Sequence, residues 1–287
     1  MKGIKRWLKK HFHAISWRNN ILKPIFIFLD FPDWVIRRMR GFGDLPRYSL
    51  RIRSTGIEGE FGGKRFVSHG EKIKNLLIQH SNLRSSQKVV EIGCGTGSAA
   101  LVLADILDDS NYRGADIDRL SIDACLKNRR LTKKQFRFDW IDIYHSFYNP
   151  KGSISLNSYQ FPYAGQSSDV VFLISVFTHM LPKEMVHYIG EISRILKPGG
   201  FCLFTTFLMD YGHEGIMEFP YDHENYRLHQ EEIPEKAVGY YQRFLDQAFE
   251  SAGLELYKKP VLGNWRSSSE QSDNPFGQDM MIYQKRG

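Results

Sequence analysis

The spacing of apolar positions divides the chain into two unlike parts. Residues 4–15 place Ile4, Trp7, Leu8, Phe12 and Ile15 at helical intervals, with lysines on the opposite face. An apolar, aromatic run follows, Pro24–Leu29 and then Phe31–Trp34. From 45 to 67 glycine and arginine leave no period, and that stretch reads as irregular. A helix from Ser68 to about His80 leads into regular alternation. Strands are expected at Lys88–Ile92, Tyr112–Asp116, Gln135–Trp140, Val170–Ser175 and Phe201–Phe207. Helices are expected at Ser98–Leu107, Asp118–Arg130 and Lys183–Leu196, the last stopped by the turn Lys197-Pro198-Gly199-Gly200. A helix over Ala237–Ala252 and strands Leu254–Lys259 and Met280–Gln284 close the chain. Such alternation predicts an α/β fold with a doubly wound, mostly parallel sheet. The last two strands have no crossover helix between them and should pair antiparallel at the sheet edge.

Charge sharpens the division. Residues 1–53 carry thirteen Lys/Arg against three acids, a balance of +10. The whole chain carries +7, so the other 234 residues sum to −3. The basic character belongs to the N-terminal segment, which therefore suits a localised acidic partner. For residues 1–40 an anionic membrane surface is one such partner, and docking on the protein's own body is the plainer reading. The run Ile21–Ile36 is broken by Lys23, Asp30, Asp33 and two prolines, too short and interrupted to span a bilayer. No uninterrupted apolar stretch follows the basic start, so it does not read as a signal peptide. Three cysteines without paired spacing point to a reducing, cytoplasmic setting rather than a disulfide framework.

Candidate chemistry lies at the C-terminal ends of the strands. Glu91-Ile92-Gly93-Cys94-Gly95-Thr96-Gly97 joins a strand to a helix, where glycines permit close approach of a ligand to the backbone. Glu91 before the glycines suits a cationic group and would repel a pyrophosphate. Asp116 ends the second strand, 19 residues past Gly97, where an acid accepts hydrogen bonds from ribose hydroxyls. Asp142 follows the third strand and could accept an adenine amino group.

From about 65 to 285 these motifs, with Leu196–Gly200 before the fifth long strand, resemble the class I S-adenosylmethionine-dependent methyltransferase superfamily. Asp169–Met180 is similar to a subgroup of bacterial small-molecule enzymes tied to glycan or secondary-metabolite pathways. The resemblance implies a Rossmann-like, seven-stranded sheet with its last strand antiparallel and S-adenosylmethionine as cofactor. It implies a cofactor set of Glu91, Gly93, Cys94, Gly95, Gly97, Asp116, Ile117, Asp142, Ile143 and Ser175. It also divides the chain into a basic N-terminal extension, 1–64, and a catalytic domain, 65–287.

A hydroxyl acceptor needs a base. His179, about four residues past the fourth strand, is the candidate, against the alternative of a core or capping histidine. Tyr148 and Tyr163 from the aromatic insertion, Asp210 after the fifth strand and Trp265 before the last are candidates for the acceptor pocket. No histidine spacing suits a metal. The expected acceptor is a small-molecule hydroxyl, on a glycan- or lipid-linked compound. RNA methylation through the basic arm and a non-catalytic cofactor-binding scaffold are the alternatives. Ser175-Val176-Phe177-Thr178 stands where an enzyme for base amines carries a different tetrad, which makes nucleic acid the weaker partner.

Overall fold

A computed structural model describes residues 23–55, 60–146, 148–212, 217–266 and 277–287. The helix expected over 4–15 lies outside the described residues. Three helices precede the alternating part: α1 (Lys23–Phe28), α2 (Asp30–Met39) and α3 (Tyr48–Thr55). The third falls in the stretch expected to be irregular. Its buried face combines Tyr48 and Ile52 with a wholly buried arginine, Arg51, and a charged residue on the core side hides the helical period. Helix α4 (Lys64–Ser81) starts earlier than Ser68 because Phe66 is already in the core.

The chain then runs β1 (Val89–Ile92), α5 (Ser98–Leu103), β2 (Tyr112–Asp116), α6 (Arg119–Leu126), α7 (Arg129–Lys133), β3 (Arg137–Trp140) and β4 (Ser168–Leu173). The helix expected over 118–130 is broken at Asn128, whose side chain accepts the N–H groups of Arg130 and Leu131 at 3.0 and 3.3 Å and so caps a new helix. Next come α8 (Pro182–Ile195) and β5 (Leu196–Thr206). The Lys197–Gly200 turn is absorbed into β5, with a register shift opposite Ser168 and Val170.

The helix expected from Ala237 begins only at Gln242. A small antiparallel sheet, β6 (Tyr221–Asp222), β7 (Tyr226–Leu228) and β8 (Val238–Tyr240), takes the residues before it. Gly239 disfavours a helix there. Asp210 accepts the Gln242 N–H at 2.5 Å and marks the true start of α9 (Gln242–Ser251). Strands β9 (Leu254–Leu256) and β10 (Asp279–Lys285) close the fold.

The main sheet has seven strands in the order β3-β2-β1-β4-β5-β10-β9. The last strand is antiparallel to both neighbours and inserts between β5 and β9, so β9, not β10, is the edge. Alternate strand residues feed two cores. Val90, Ile92, Val171 and Leu173 pack with α8 and α9 on one face. Val89, Val170, Phe172 and Leu203 pack with α4 and α5 on the other. The order reverses between β1 and β4, and the loops above that point form the site.

Candidate active site

Gly93, Gly95 and Gly97 all have positive φ, +79°, +51° and +82°. A Cβ on Gly93 would lie 2.4 Å from Val176 Cγ2, so the loop is pressed against the turn that follows β4. The Gly95 N–H and the Asp118 N–H each donate to one oxygen of Asp116, both at 2.7 Å. This carboxylate thereby ties the glycine loop to the end of β2. Burial raises its pKa to about 6 against those two hydrogen bonds.

Above the loop is a cavity of about 220 Å³. Its apolar walls include Ile92, Ile117, Ile141 and Ile143, and its polar groups include Asp116, Ser175, Tyr148 and His179. Two further walls come from outside the alternating part. Arg53 and Ser54 at the end of α3 line the cavity. Arg53 grips Asp118 with two bonds of 2.8 and 2.5 Å, and the Ser54 hydroxyl meets Thr96 Oγ1 at 3.0 Å. No motif announced them, because their partners lie 65 and 42 residues away in sequence.

Seven of the expected site residues do not line the cavity. Glu91 points to the opposite face of β1, where the Tyr112 hydroxyl donates to it. Burial pushes its carboxyl up to about 8 despite that bond. Cys94 is buried behind the loop and Gly97 begins α5. Asp142 is occupied by the Ser153 hydroxyl at 2.7 Å and Asn149 Nδ2 at 3.2 Å. Tyr163 is buried, with Arg113 stacked over its ring at 5.4 Å. Asp210 caps α9. Trp265 packs on Phe207 and Phe219, and its indole N–H donates to Asp279 at 2.9 Å.

The described residues bring His179, Tyr148 and His145 together at the cavity. The turn Phe177–His179 follows β4. His179 Nδ1 lies 3.0 Å from the Glu235 carbonyl oxygen, which can only accept, so Nδ1 carries the proton. Nε2 is then the acceptor for the Tyr148 hydroxyl at 3.1 Å. His145 is held the other way round. Its Nε2 donates to the His179 carbonyl at 3.0 Å and its Nδ1 accepts the Tyr148 N–H at 3.1 Å. Burial lowers the His179 pKa to about 4, with His145 adding to the fall and the Glu235 carbonyl opposing it. The ring is therefore neutral at pH 7 and keeps its lone pair. Ser175, at φ +57° before this turn, is held by Thr205 Oγ1 and Gln278 at 2.8 and 2.9 Å. Among the described residues no cluster of three His, Cys, Asp or Glu side chains is placed to hold a metal.

Residues 90–204 match the family described as "Methyltransferase domain". These residues form a methyltransferase domain of the class I S-adenosylmethionine-dependent superfamily. It is 29% identical over 148 residues to the tRNA N(3)-cytidine methyltransferase METTL2 of Gallus gallus, covering 50% of this chain and 35% of that one. It is 23% identical over 163 residues to the fatty-acid O-methyltransferase of Mycolicibacterium smegmatis, covering 56% and 44%. The chain thus spans less than half the length of either relative. The crystal structure of the [4+2]-cyclase SpnF shares the fold, with a TM-score of 0.50 and 17% identity over 75% of this chain and 81% of that one.

The cofactor of this methyltransferase superfamily is S-adenosylmethionine, and the cavity fits it. Ile117 and Ile143 offer apolar walls for a purine, Asp116 offers a carboxylate for ribose hydroxyls, and Gly93 and Gly95 line the same cavity. Cofactor affinity should depend on the ionised form of Asp116. With its pKa raised to about 6, affinity is full above that pH and falls as pH drops through it. Asp116→Asn should weaken binding about 10- to 100-fold at pH 8 and flatten this dependence. Titration calorimetry across pH 5–8 checks both.

Proposed function

We propose that the protein transfers a methyl group from S-adenosylmethionine to a hydroxyl of a small molecule, on a lipid- or glycan-linked compound. The observation that carries this reading is the Tyr148–His179 pair, in which a neutral imidazole takes its hydrogen bond through Nε2 at the cavity. When bound, the cofactor supplies an activated methyl, so the protein's tasks are alignment, exclusion of water and removal of one proton. Ile117, Ile143 and Asp116 hold and orient the nucleoside. The acceptor's hydroxyl proton would pass to the Tyr148 oxygen as Tyr148's own proton moves to His179 Nε2. The Glu235 carbonyl, fixed on Nδ1–H, stabilises the imidazolium that forms. The fatty-acid O-methyltransferase relative supports an oxygen acceptor and a lipid class. A lipid-linked acceptor would place the protein on the inner face of a membrane without crossing it, and no helix among the described residues is long and apolar enough to cross.

The tRNA methyltransferase relative favours a second reading, in which the basic N-terminal segment grips RNA. Tritiated cofactor separates the two. Incubated with total lipid, glycan and tRNA fractions, the protein should label lipid or glycan, and the label should vanish in His179→Ala. Label confined to tRNA would replace the first reading with the second.

A further inference from the structure

Helix α2 is amphipathic in the wrong sense for a helix that only packs on its own protein. Its buried residues are Asp33, 0% exposed, and Arg37, 3% exposed. Its outward face carries Phe31, Trp34, Val35 and Met39, at the i, i+3, i+4 and i+8 positions of one helix side. Phe31 and Met39 are 71% and 82% exposed, and Phe28 at the end of α1 is 78% exposed. With Ile25 and Ile27 of α1, seven large apolar side chains stand exposed within fifteen residues, a density of the kind that marks an interaction surface.

A buried ion network holds the helix in this orientation. Asp33 accepts from Arg37 at 2.7 Å, from Arg51 at 2.8 Å and from the Gly62 N–H at 2.7 Å. Arg51 also reaches Glu60 at 2.9 Å, and Arg37 donates to the Leu45 carbonyl at 2.6 Å. Rolling α2 to bury its aromatic face would strip these charges of their partners. The polar side of the helix is fixed inward, and the apolar side is thereby committed outward.

The surrounding charge identifies the partner. All three acids of the segment have cationic partners within the protein: Asp33 as above, Asp30 with Arg47 at 3.7 Å and Asp44 with Arg130 at 3.6 Å. Arg38 and Arg40 are exposed beside the apolar face, with no carboxylate partner among the described residues. Trp34 lies between ring and cation, stacked on Phe31 at 6.2 Å and under Arg38 at 6.0 Å. Aromatic groups flanked by arginines, with no net acid, match an anionic lipid headgroup layer over acyl chains. A polynucleotide would take up the arginines but leave seven apolar groups in water.

We infer that the outward face of α1 and α2 docks the protein on an anionic lipid bilayer. The docked helices are continuous with the cavity wall. Phe26 packs on Tyr48 of α3 at 6.4 Å, Arg51 ties α3 to α2, and Arg53 and Ser54 of the same helix line the cavity. The membrane-facing surface and one wall of the cofactor site therefore form one unit. For its purpose this docking rests on the lipid-linked reading of the acceptor; for its test it needs neither cofactor nor acceptor.

The test is co-sedimentation of the full chain with phosphatidylcholine vesicles, with and without about one third phosphatidylglycerol. The intact protein should bind the anionic vesicles and bind neutral ones weakly. Phe28→Ser/Phe31→Ser/Met39→Ser, at exposed positions, should keep its thermal stability and lose at least about 100-fold in vesicle affinity. Arg38→Glu/Arg40→Glu should lose at least about 10-fold at low salt. Three results overturn the proposal. One is no vesicle binding by the intact chain, and another is binding that the triple variant leaves unchanged. The third is absent vesicle binding with a salt-sensitive polynucleotide complex, or with a dimer in light scattering that the triple variant turns into monomer.

Discussion

His179→Ala should lower turnover at saturating cofactor by about 10²- to 10⁴-fold, the range lost with a positioned general base. Cofactor affinity should stay within about threefold, because the proposed nucleoside contacts are Asp116 and the glycine loop and not this ring. Tyr148→Phe should cost less, about tenfold, since the Nε2 lone pair remains and can take the proton directly or through water. The pH profile gives an independent readout. A base must be deprotonated to act, and burial holds the His179 pKa down to about 4. Turnover at saturating cofactor should therefore persist well below 6.5 and fall only as pH approaches 4. The same shift affects stability. An unfolded chain takes up this proton near 6.5 and the folded one near 4, so His179's share of stability is full above 6.5 and declines as pH falls toward 4. Stopped-time assays with buffers from pH 4 to 9, read beside thermal melts, separate the two.

The second large effect lies away from the chemistry. Asp279 is wholly buried at the start of β10, and both its oxygens are saturated. It pairs with Arg266, itself buried, and accepts from the Gly263 N–H at 2.8 Å, the Leu208 N–H at 2.7 Å and the Trp265 indole at 2.9 Å. Arg266 in turn donates to the carbonyls of Leu208 and Tyr211 at 2.8 and 2.6 Å. One carboxylate thus holds the loop after β5 and the loop before β10 to the sheet. Asp279→Ala leaves a buried guanidinium and three backbone or indole donors without an acceptor. It should destabilise by about 3–5 kcal/mol, the cost of breaking a buried pair from one side. For a chain of this size that is a fall in Tm of roughly 6–10 °C. Asp279→Asn keeps one carbonyl acceptor and should fall between this variant and the native protein. Calorimetric melts of the three proteins check the order.

The parts legible in the sequence were those set by local pattern. Apolar runs bounded by turn residues marked the seven long strands, and the absence of a crossover helix before Met280 marked the antiparallel pair. Gly93, Gly95 and Asp116 needed only the strand–loop–helix grammar to be marked and Ile117 the family resemblance, and all four line the cavity. Where the reading failed, a long-range polar contact outweighed the local period. Arg51 on the buried side of α3 disguised a helix. Asp210 from another loop began α9 at Gln242, while Asn128, through a local cap, ended one helix to begin the next. Within the site the same limit applies. Glu91 is one residue from Ile92, but strand alternation turns them to opposite faces, so only Ile92 reaches the cavity. Arg53, Ser54 and His145 come to the cavity from segments with no motif, and only the folded chain brings them there. Trp265, expected to help form the acceptor pocket, is drawn by its partner Asp279 into a satellite core.

Calorimetric titration of the full chain tests whether the glycine loop, Asp116 and the walls formed by Ile117 and Ile143 bind S-adenosylmethionine beside a neutral histidine. One S-adenosylmethionine should bind per chain, S-adenosylhomocysteine should compete for it, Asp116→Asn should weaken both and His179→Ala neither. A chain that binds neither compound, or binds them equally well without the Asp116 carboxylate, would rule this site out.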